Sequence, residues 1–281
     1  MSGRIIAVVN QKGGVGKTTT AVNLAASIAV SERRTLLVDL DPQANATSAY
    51  AIQAERQIYD ALIGRCPIKD VTQPTELRYL EVVPSGRDLY GAEIELVSAI
   101  ARERRLISVL EGVRERYAFT LIDCPPSLGL LTLNALTAAD GVLVPLQCEY
   151  YALEGLASLL ETVDLVKGQL NPGLEIEGIL LTMADARNRL SGQVEQEVRS
   201  HFGSQVFRTV VPRNVRLSEA PSHGKPALLY DAHSTGARAY LQLAAELIEA
   251  AARRGANAPA PSENATSASP PVPPFADGAP E

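Results

Sequence analysis

Residues 5–20 read Ile5-Ile6-Ala7-Val8-Val9-Asn10-Gln11-Lys12-Gly13-Gly14-Val15-Gly16-Lys17-Thr18-Thr19-Thr20. An apolar run leads into a glycine-rich turn, and the turn leads into a segment with helical spacing. Five consecutive apolar residues suit a strand buried on both faces, as in a parallel sheet covered by helices. Gly13, Gly14 and Gly16 allow the backbone to curl so that successive N–H groups point at one anion. The N-terminus of the following helix adds its dipole. Lys17 then supplies positive charge to β- and γ-phosphates, the Thr18 hydroxyl is placed to ligate Mg²⁺, and Thr19 reaches an α-phosphate. Strand, loop, Gly-Lys-Thr and helix in this order predict a phosphate-binding loop, spanning Lys12 to Thr19 with Val15 inside it.

Outward from this loop the pattern repeats. Apolar runs at Ile5–Val9, Thr35–Asp39, Leu80–Val83, Phe119–Ile122, Val142–Pro145, Ile179–Met183 and Val206–Val211 read as strands. Between them, Lys17–Val30, Tyr90–Tyr117, Gly129–Ala139, Leu153–Leu170, Leu190–Phe202 and Thr235–Arg254 are long enough to be crossover helices. This alternation predicts a doubly wound α/β domain with a mostly parallel sheet flanked by helices, of the P-loop NTPase type. One domain over residues 1–255 is expected. Residues 256–281 hold seven of the 18 prolines and only Val272 and Phe275 as large apolar groups, the composition of a disordered tail.

Composition narrows the function. With 46% hydrophobic and 21% charged residues, the 281-residue chain is neither collagen-like, coiled-coil nor wholly disordered. No run approaches the roughly 18 apolar residues of a membrane span, and Met1-Ser2-Gly3-Arg4 has no signal-peptide layout, so a cytoplasmic protein is expected. Cys66, Cys124 and Cys148 form no C-x-x-C pair, which argues against a disulfide framework or zinc site; Cys124 and Cys148 read as small core residues. The formal charge is −6, and three of those charges (Glu263, Asp277, Glu281) belong to the tail.

Two strands end in acids. Leu36-Leu37-Val38-Asp39-Leu40-Asp41-Pro42-Gln43 places Asp39 and Asp41 beyond the carboxyl end of the second run, where ligands bind in an open α/β sheet. Asp39 supports Lys17 or the metal shell, or has a structural role at the strand end. Leu121-Ile122-Asp123 is a Walker B layout, with Asp123 holding Mg²⁺ through a water. From Thr182 to Tyr230, seven basic residues face four acids, a local excess of +3 in an acidic chain. Without an aromatic stripe, such a patch implies contact with a nucleic-acid backbone rather than base reading. Pro212-Arg213-Asn214-Val215-Arg216-Leu217-Ser218-Glu219-Ala220-Pro221-Ser222-His223-Gly224-Lys225-Pro226 reads as a long polar loop, in which Pro212 and Asn214 offer an apolar face and an amide to an adenine edge.

The strict G-x-x-x-x-G-K-[ST] pattern fails at Gln11; what stands is Lys12-Gly13-Gly14-Val15-Gly16-Lys17-Thr18. This resembles the deviant Walker A motif of the ParA/MinD group of ATPases, and the Pro212–Pro226 block resembles its chromosomal ParA/Soj branch. The resemblance implies an ATP hydrolase that segregates chromosome or plasmid DNA. Its catalytic residues would be Lys12, which crosses a homodimer interface to the partner's phosphates, Lys17, and Asp41, which positions water. Arg187 and Arg216 would contact nonspecific double-stranded DNA, a ParB-type centromere-binding protein would stimulate hydrolysis, and the protein would be cytoplasmic and nucleoid-associated. The alternatives are a MinD-like membrane-cycling ATPase and a nucleotide-switched cargo-positioning scaffold. The first needs a terminal amphipathic helix with basic anchors, whereas this tail is acidic and proline-rich, so no stable membrane association is expected. A nitrogenase-iron-protein class would need cluster-ligating cysteines that this chain lacks.

Overall fold

Eight strands form one sheet in a computed structural model that describes residues 3–149, 152–185 and 187–257. They are β1 (Arg4–Val8), β2 (Thr35–Asp39), β3 (Gln73–Pro74), β4 (Leu80–Val83), β5 (Phe119–Asp123), β6 (Gly141–Gln147), β7 (Glu175–Ala184) and β8 (Val206–Pro212). Their order is β3-β4-β2-β5-β1-β6-β7-β8, parallel throughout except for the short β3, which pairs antiparallel with β4. The helices are α1 (Lys17–Val30), α2 (Asn45–Ser48), α3 (Ile58–Leu62), α4 (Leu89–Glu95), α5 (Arg105–Glu111), α6 (Leu130–Ala138), α7 (Ala152–Gln169), α8 (Arg189–Phe202), α9 (Val215–Glu219), α10 (Ala227–Tyr230) and α11 (Thr235–Asn257).

Side-chain alternation along the central strands builds a core on each face. Ile5 and Ala7 of β1 join Leu36 and Val38 of β2 in one core, whereas Ile6 and Val8 join Leu37 in the other. Helix α1 lies deep in the second core, with Leu24, Ala25 and Ile28 fully buried, and α11 packs over it; the Thr20 and Tyr240 hydroxyls meet at 3.1 Å. Both cysteines expected in the core, Cys124 and Cys148, are buried there. Because β1 pairs with β5 on one side and β6 on the other, the chain reverses its winding at β1. The loop after β1 therefore opens into the crevice where α/β sheets bind ligands.

Three expectations need correction. The crossover helix expected over Tyr90–Tyr117 is broken into α4, α5 and short 3₁₀ turns, with Ala101 at φ +52°. Asn134 of α6 stabilises the break: its amide donates to the Arg102 carbonyl and its oxygen accepts from Leu106 N–H, replacing helical partners. The stretch expected as a long polar loop after Pro212 folds into α9 and a 3₁₀ turn over Ala220–His223. Asn214 starts α9, its side chain accepting from Arg216 N–H at 2.9 Å. Finally, α11 extends past Arg254 to Asn257 and so through the first two residues of the expected tail. Residues 258–281 lie outside the described residues.

Candidate active site

The loop from Asn10 to Gly16 is held by side chains as well as by its glycines. The Asn10 amide donates to the Pro145 carbonyl, while its oxygen accepts from Lys12 N–H at 2.9 Å. Thr182 of β7 donates to the Val15 carbonyl at 2.9 Å, tying the loop to the neighbouring strands. Gly14 and Gly16 have φ of +77° and +93°, the left-handed region that favours glycine, and Gly16 is the residue immediately before α1. Gly13 does not adopt positive φ; it is exposed, and a Cβ there would meet nothing within 4 Å.

Lys17 is buried and its ammonium donates to the Lys12 carbonyl at 3.1 Å. Burial lowers its pKa, and Asp123 and Asp41 act against that shift. The Lys12 ammonium projects to the surface and pairs with Glu149 at 2.6 Å. Thr18 and Thr19 occupy the first turn of α1, half-buried beside the loop.

The parallel register sets Asp39 of β2 directly opposite Asp123 of β5. Asp39 accepts from Thr47 N–H at 2.8 Å, from the Thr47 hydroxyl at 2.7 Å and from Asp41 N–H at 3.1 Å. These contacts give Asp39 a structural role at its own strand end. Burial pushes its pKa up to about 6, against the hydrogen bonds from Thr47. Asp41 Oδ1 accepts from Gln43 N–H, while Oδ2 has no protein donor among the described residues. Ser85, at the end of β4, steadies this turn by donating to the Asp41 carbonyl at 2.8 Å.

Asp123 is fully buried and neither of its carboxylate oxygens has a hydrogen-bond partner. Burial and the facing Asp39 hold its pKa well above the usual carboxylate range, with Thr18 and Lys17 acting the other way. A buried orphan carboxylate this close to Lys17 and Thr18 has the chemistry of a group awaiting a cation or its water shell. No cluster of three or more His, Cys, Asp or Glu suited to a metal occurs among the described residues. A cation here would therefore need ligands from elsewhere, as Mg²⁺ carried by a nucleotide has.

Beside Gly16 and Thr19 lies a groove of about 350 Å³, walled by Met183, Pro212, Asn214 and Pro221. Met183 adopts φ +51°, a strained conformation for a side-chain-bearing residue. The Asn214 amide nitrogen donates to the Thr235 hydroxyl at 2.8 Å, which uses one of its two N–H groups. Adjacent strand ends at Ala184 and Pro212 bring Arg187 and Arg216 to the same end of the sheet. Neither is a free cation. Arg187 is paired with Asp185 at 2.9 Å, and Arg216 with Glu219 at 2.8 Å and Asp231 at 3.4 Å. Asp231, Glu246 and Glu249, acids outside the counted stretch, pair with Arg216 and Arg208, so the local charge excess is smaller than a count along the chain implies.

Sequence reasoning missed Asn10, Thr47, Ser85 and Glu149. Asn10, between a buried strand and the glycines, was the one with a local signal.

Comparison with known proteins agrees with this geometry. A family model described as an AAA domain matches residues 3–176. The chain is 60% identical over 250 residues to the chromosome partitioning protein ParA of Myxococcus xanthus, covering 88% of each. It is 57% identical over 248 residues to the sporulation initiation inhibitor protein Soj of Bacillus subtilis, covering 87% of this chain and 98% of that one. Among solved structures, cobyrinic acid a,c-diamide synthase from Mycobacterium smegmatis with bound ADP and magnesium superposes with a TM-score of 0.77 at 35% identity, covering 88% of this chain and 94% of that one.

Proposed function

The chain belongs to the ParA/Soj family of chromosome-partitioning ATPases, and from that premise we propose that residues 1–255 form an ATP-switched, DNA-binding segregation motor. The observation that carries the reading is the convergence of Lys17, Asp41 and the unpartnered Asp123 at the mouth of the glycine loop. ATP binds with its phosphates against the loop N–H groups of Gly13 to Thr18 and its adenine in the groove walled by Pro212 and Asn214. Lys17 neutralises the phosphates from within the subunit, and Thr19 reaches the α-phosphate. Mg²⁺, when bound, draws charge from the β- and γ-phosphates, and Thr18 and Asp123 are the residues that would hold it and its water shell. Asp41 orients the attacking water through Oδ2, steadied by Gln43 and Ser85.

Lys12 leaves Glu149 and reaches the phosphates of a second copy, so that two subunits close over two nucleotides. The closed homodimer joins two surfaces carrying Arg187 and Arg216 into one that grips nonspecific double-stranded DNA through phosphates. A ParB-type protein stimulates hydrolysis and thereby releases the DNA. The protein works in the cytoplasm on the nucleoid and has no stable membrane association; no helix among the described residues is long and apolar enough to cross a membrane.

The test combines nucleotide and DNA binding. Lys17→Ala should lose ATP binding, whereas Asp41→Ala should keep it and lose turnover by about 100-fold or more. The unmodified protein should hold DNA with ATP and release it with ADP, faster when the ParB-type protein is added. A wild-type hydrolysis rate in Asp41→Ala refutes the catalytic assignment, and equal DNA affinity with ATP and ADP refutes the switch.

A further inference from the structure

A second cavity, of about 420 Å³, lies among α3, α5 and the 3₁₀ turns at Ile68–Asp70 and Arg114–Arg116. None of its lining residues belongs to the glycine loop or to an acidic strand end. Its walls are apolar, built from Leu62, Ile68, Val109 and Val113. Its charged groups are of one sign: Lys69, Arg105 and Arg116 line it together with Ser108, and no acidic side chain among the described residues does. Arg116 lies over the Tyr117 ring at 5.6 Å and stands 4.0 Å from Glu81. Arg105 is half-buried, and the planar fork of an arginine guanidinium matches a carboxylate or phosphate.

We propose that this cavity is a binding site for a small organic anion, a carboxylate or phosphate monoester carried on an apolar body. The oxyanion would meet Arg105, with Lys69 and Arg116 adding charge at the rim, while the body rests on the Leu62–Val109 walls. The volume falls in the range of small-molecule sites. The proposal does not rest on the nucleotide reading, since the two sites share no residue.

Cys66 lines the same cavity and supplies the readout. Cys124 and Cys148 are buried in the core, so a neutral thiol reagent such as methyl methanethiosulfonate, followed by peptide mass spectrometry, reports on Cys66. The probe is phenyl phosphate, with benzyl alcohol as its uncharged counterpart, and ADP and Mg²⁺ present throughout to fill the nucleotide site. Phenyl phosphate should slow Cys66 labelling saturably, and Arg105→Gln should raise the concentration for half-protection about tenfold. Lys69→Gln changes an exposed side chain and should raise it about threefold, which keeps the test valid if Arg105→Gln misfolds. Inorganic phosphate should protect more weakly, because it leaves the apolar walls uncovered.

Unchanged labelling up to about 10 mM phenyl phosphate overturns the proposal. Equal protection by benzyl alcohol, or protection indifferent to both substitutions, overturns it as well. In a chain ending at Asn257 the same protection is expected. Faster labelling of that shortened chain without probe would instead make the acidic residues 258–281 the occupant and overturn the free-ligand reading.

Discussion

Lys12 and Glu149 form an ion pair at 2.6 Å across the front of the glycine loop, each about half exposed. The lysine proposed to act on a partner's phosphates is thus held by its own subunit before any partner arrives. An exposed pair of this kind is weak, at about 1 kcal/mol or less, so it biases Lys12 without locking it. Glu149→Gln should therefore tighten ATP-dependent dimerisation about two- to tenfold, with two pairs released per dimer. Sedimentation with ATP measures this; a weaker dimer would mean that Glu149 still guides Lys12 once the interface has formed.

Gly13 separates the needs of the loop from those of the interface. Its φ is not positive and a Cβ meets nothing within 4 Å, so nothing in this subunit excludes a larger side chain. Gly13→Val should bind ATP within about threefold of the original affinity and remain monomeric, because the added methyls would face the partner's loop. Light scattering showing a normal ATP-dependent dimer removes Gly13 from the interface.

The buried pair of Asp39 and Asp123 makes stability fall as pH rises. Asp39 has its pKa raised from 3.8 to about 6 in the folded chain, and Asp123 is held well above the usual carboxylate range. The folded state therefore holds protons that the unfolded chain gives up, so Asp39 lowers stability between about pH 4 and 6 and Asp123 continues the decline above that. Without Mg²⁺, Asp39→Asn should gain on the unmodified protein by on the order of 2 kcal/mol between pH 4 and 7. Urea unfolding at four pH values measures the gap. A gap that stays constant would mean that Asp39 is ionised throughout.

Arg216 should separate DNA binding from the nucleotide cycle. Its loss removes one phosphate contact per subunit, so the salt dependence of DNA affinity with ATP should become shallower by about two units for a dimer. ATP binding should survive, because no loop residue changes. Its partner Glu219 gives the opposite test: Glu219→Gln leaves the guanidinium paired with Asp231 alone and should strengthen DNA binding. Parallel salt titrations for Arg216→Ala and the unmodified protein would place the DNA surface elsewhere.

The nucleotide half of the site was legible because its physics is local. Glycines, a lysine and a threonine within seven residues act through one turn of backbone, and strands buried on both faces announce themselves as apolar runs. Hence β2, β4 and α1 have the limits that their residues predict, with Asp123 ending β5 and Asp41 just beyond β2. What eluded the sequence depends on contacts between distant residues. Thr47 binds Asp39 across eight positions and Ser85 binds Asp41 across 44, while Glu149 meets Lys12 across 137. Asn134 breaks an otherwise helical stretch about 30 residues earlier by offering its backbone better partners. Apolar periodicity encodes which face of an element is buried, but not which polar groups the folding of those faces brings within 3 Å. The pairing of the basic residues was hidden for the same reason: charge counted along a chain says nothing of Glu246 and Asp231, which only the packed helices carry to Arg208 and Arg216.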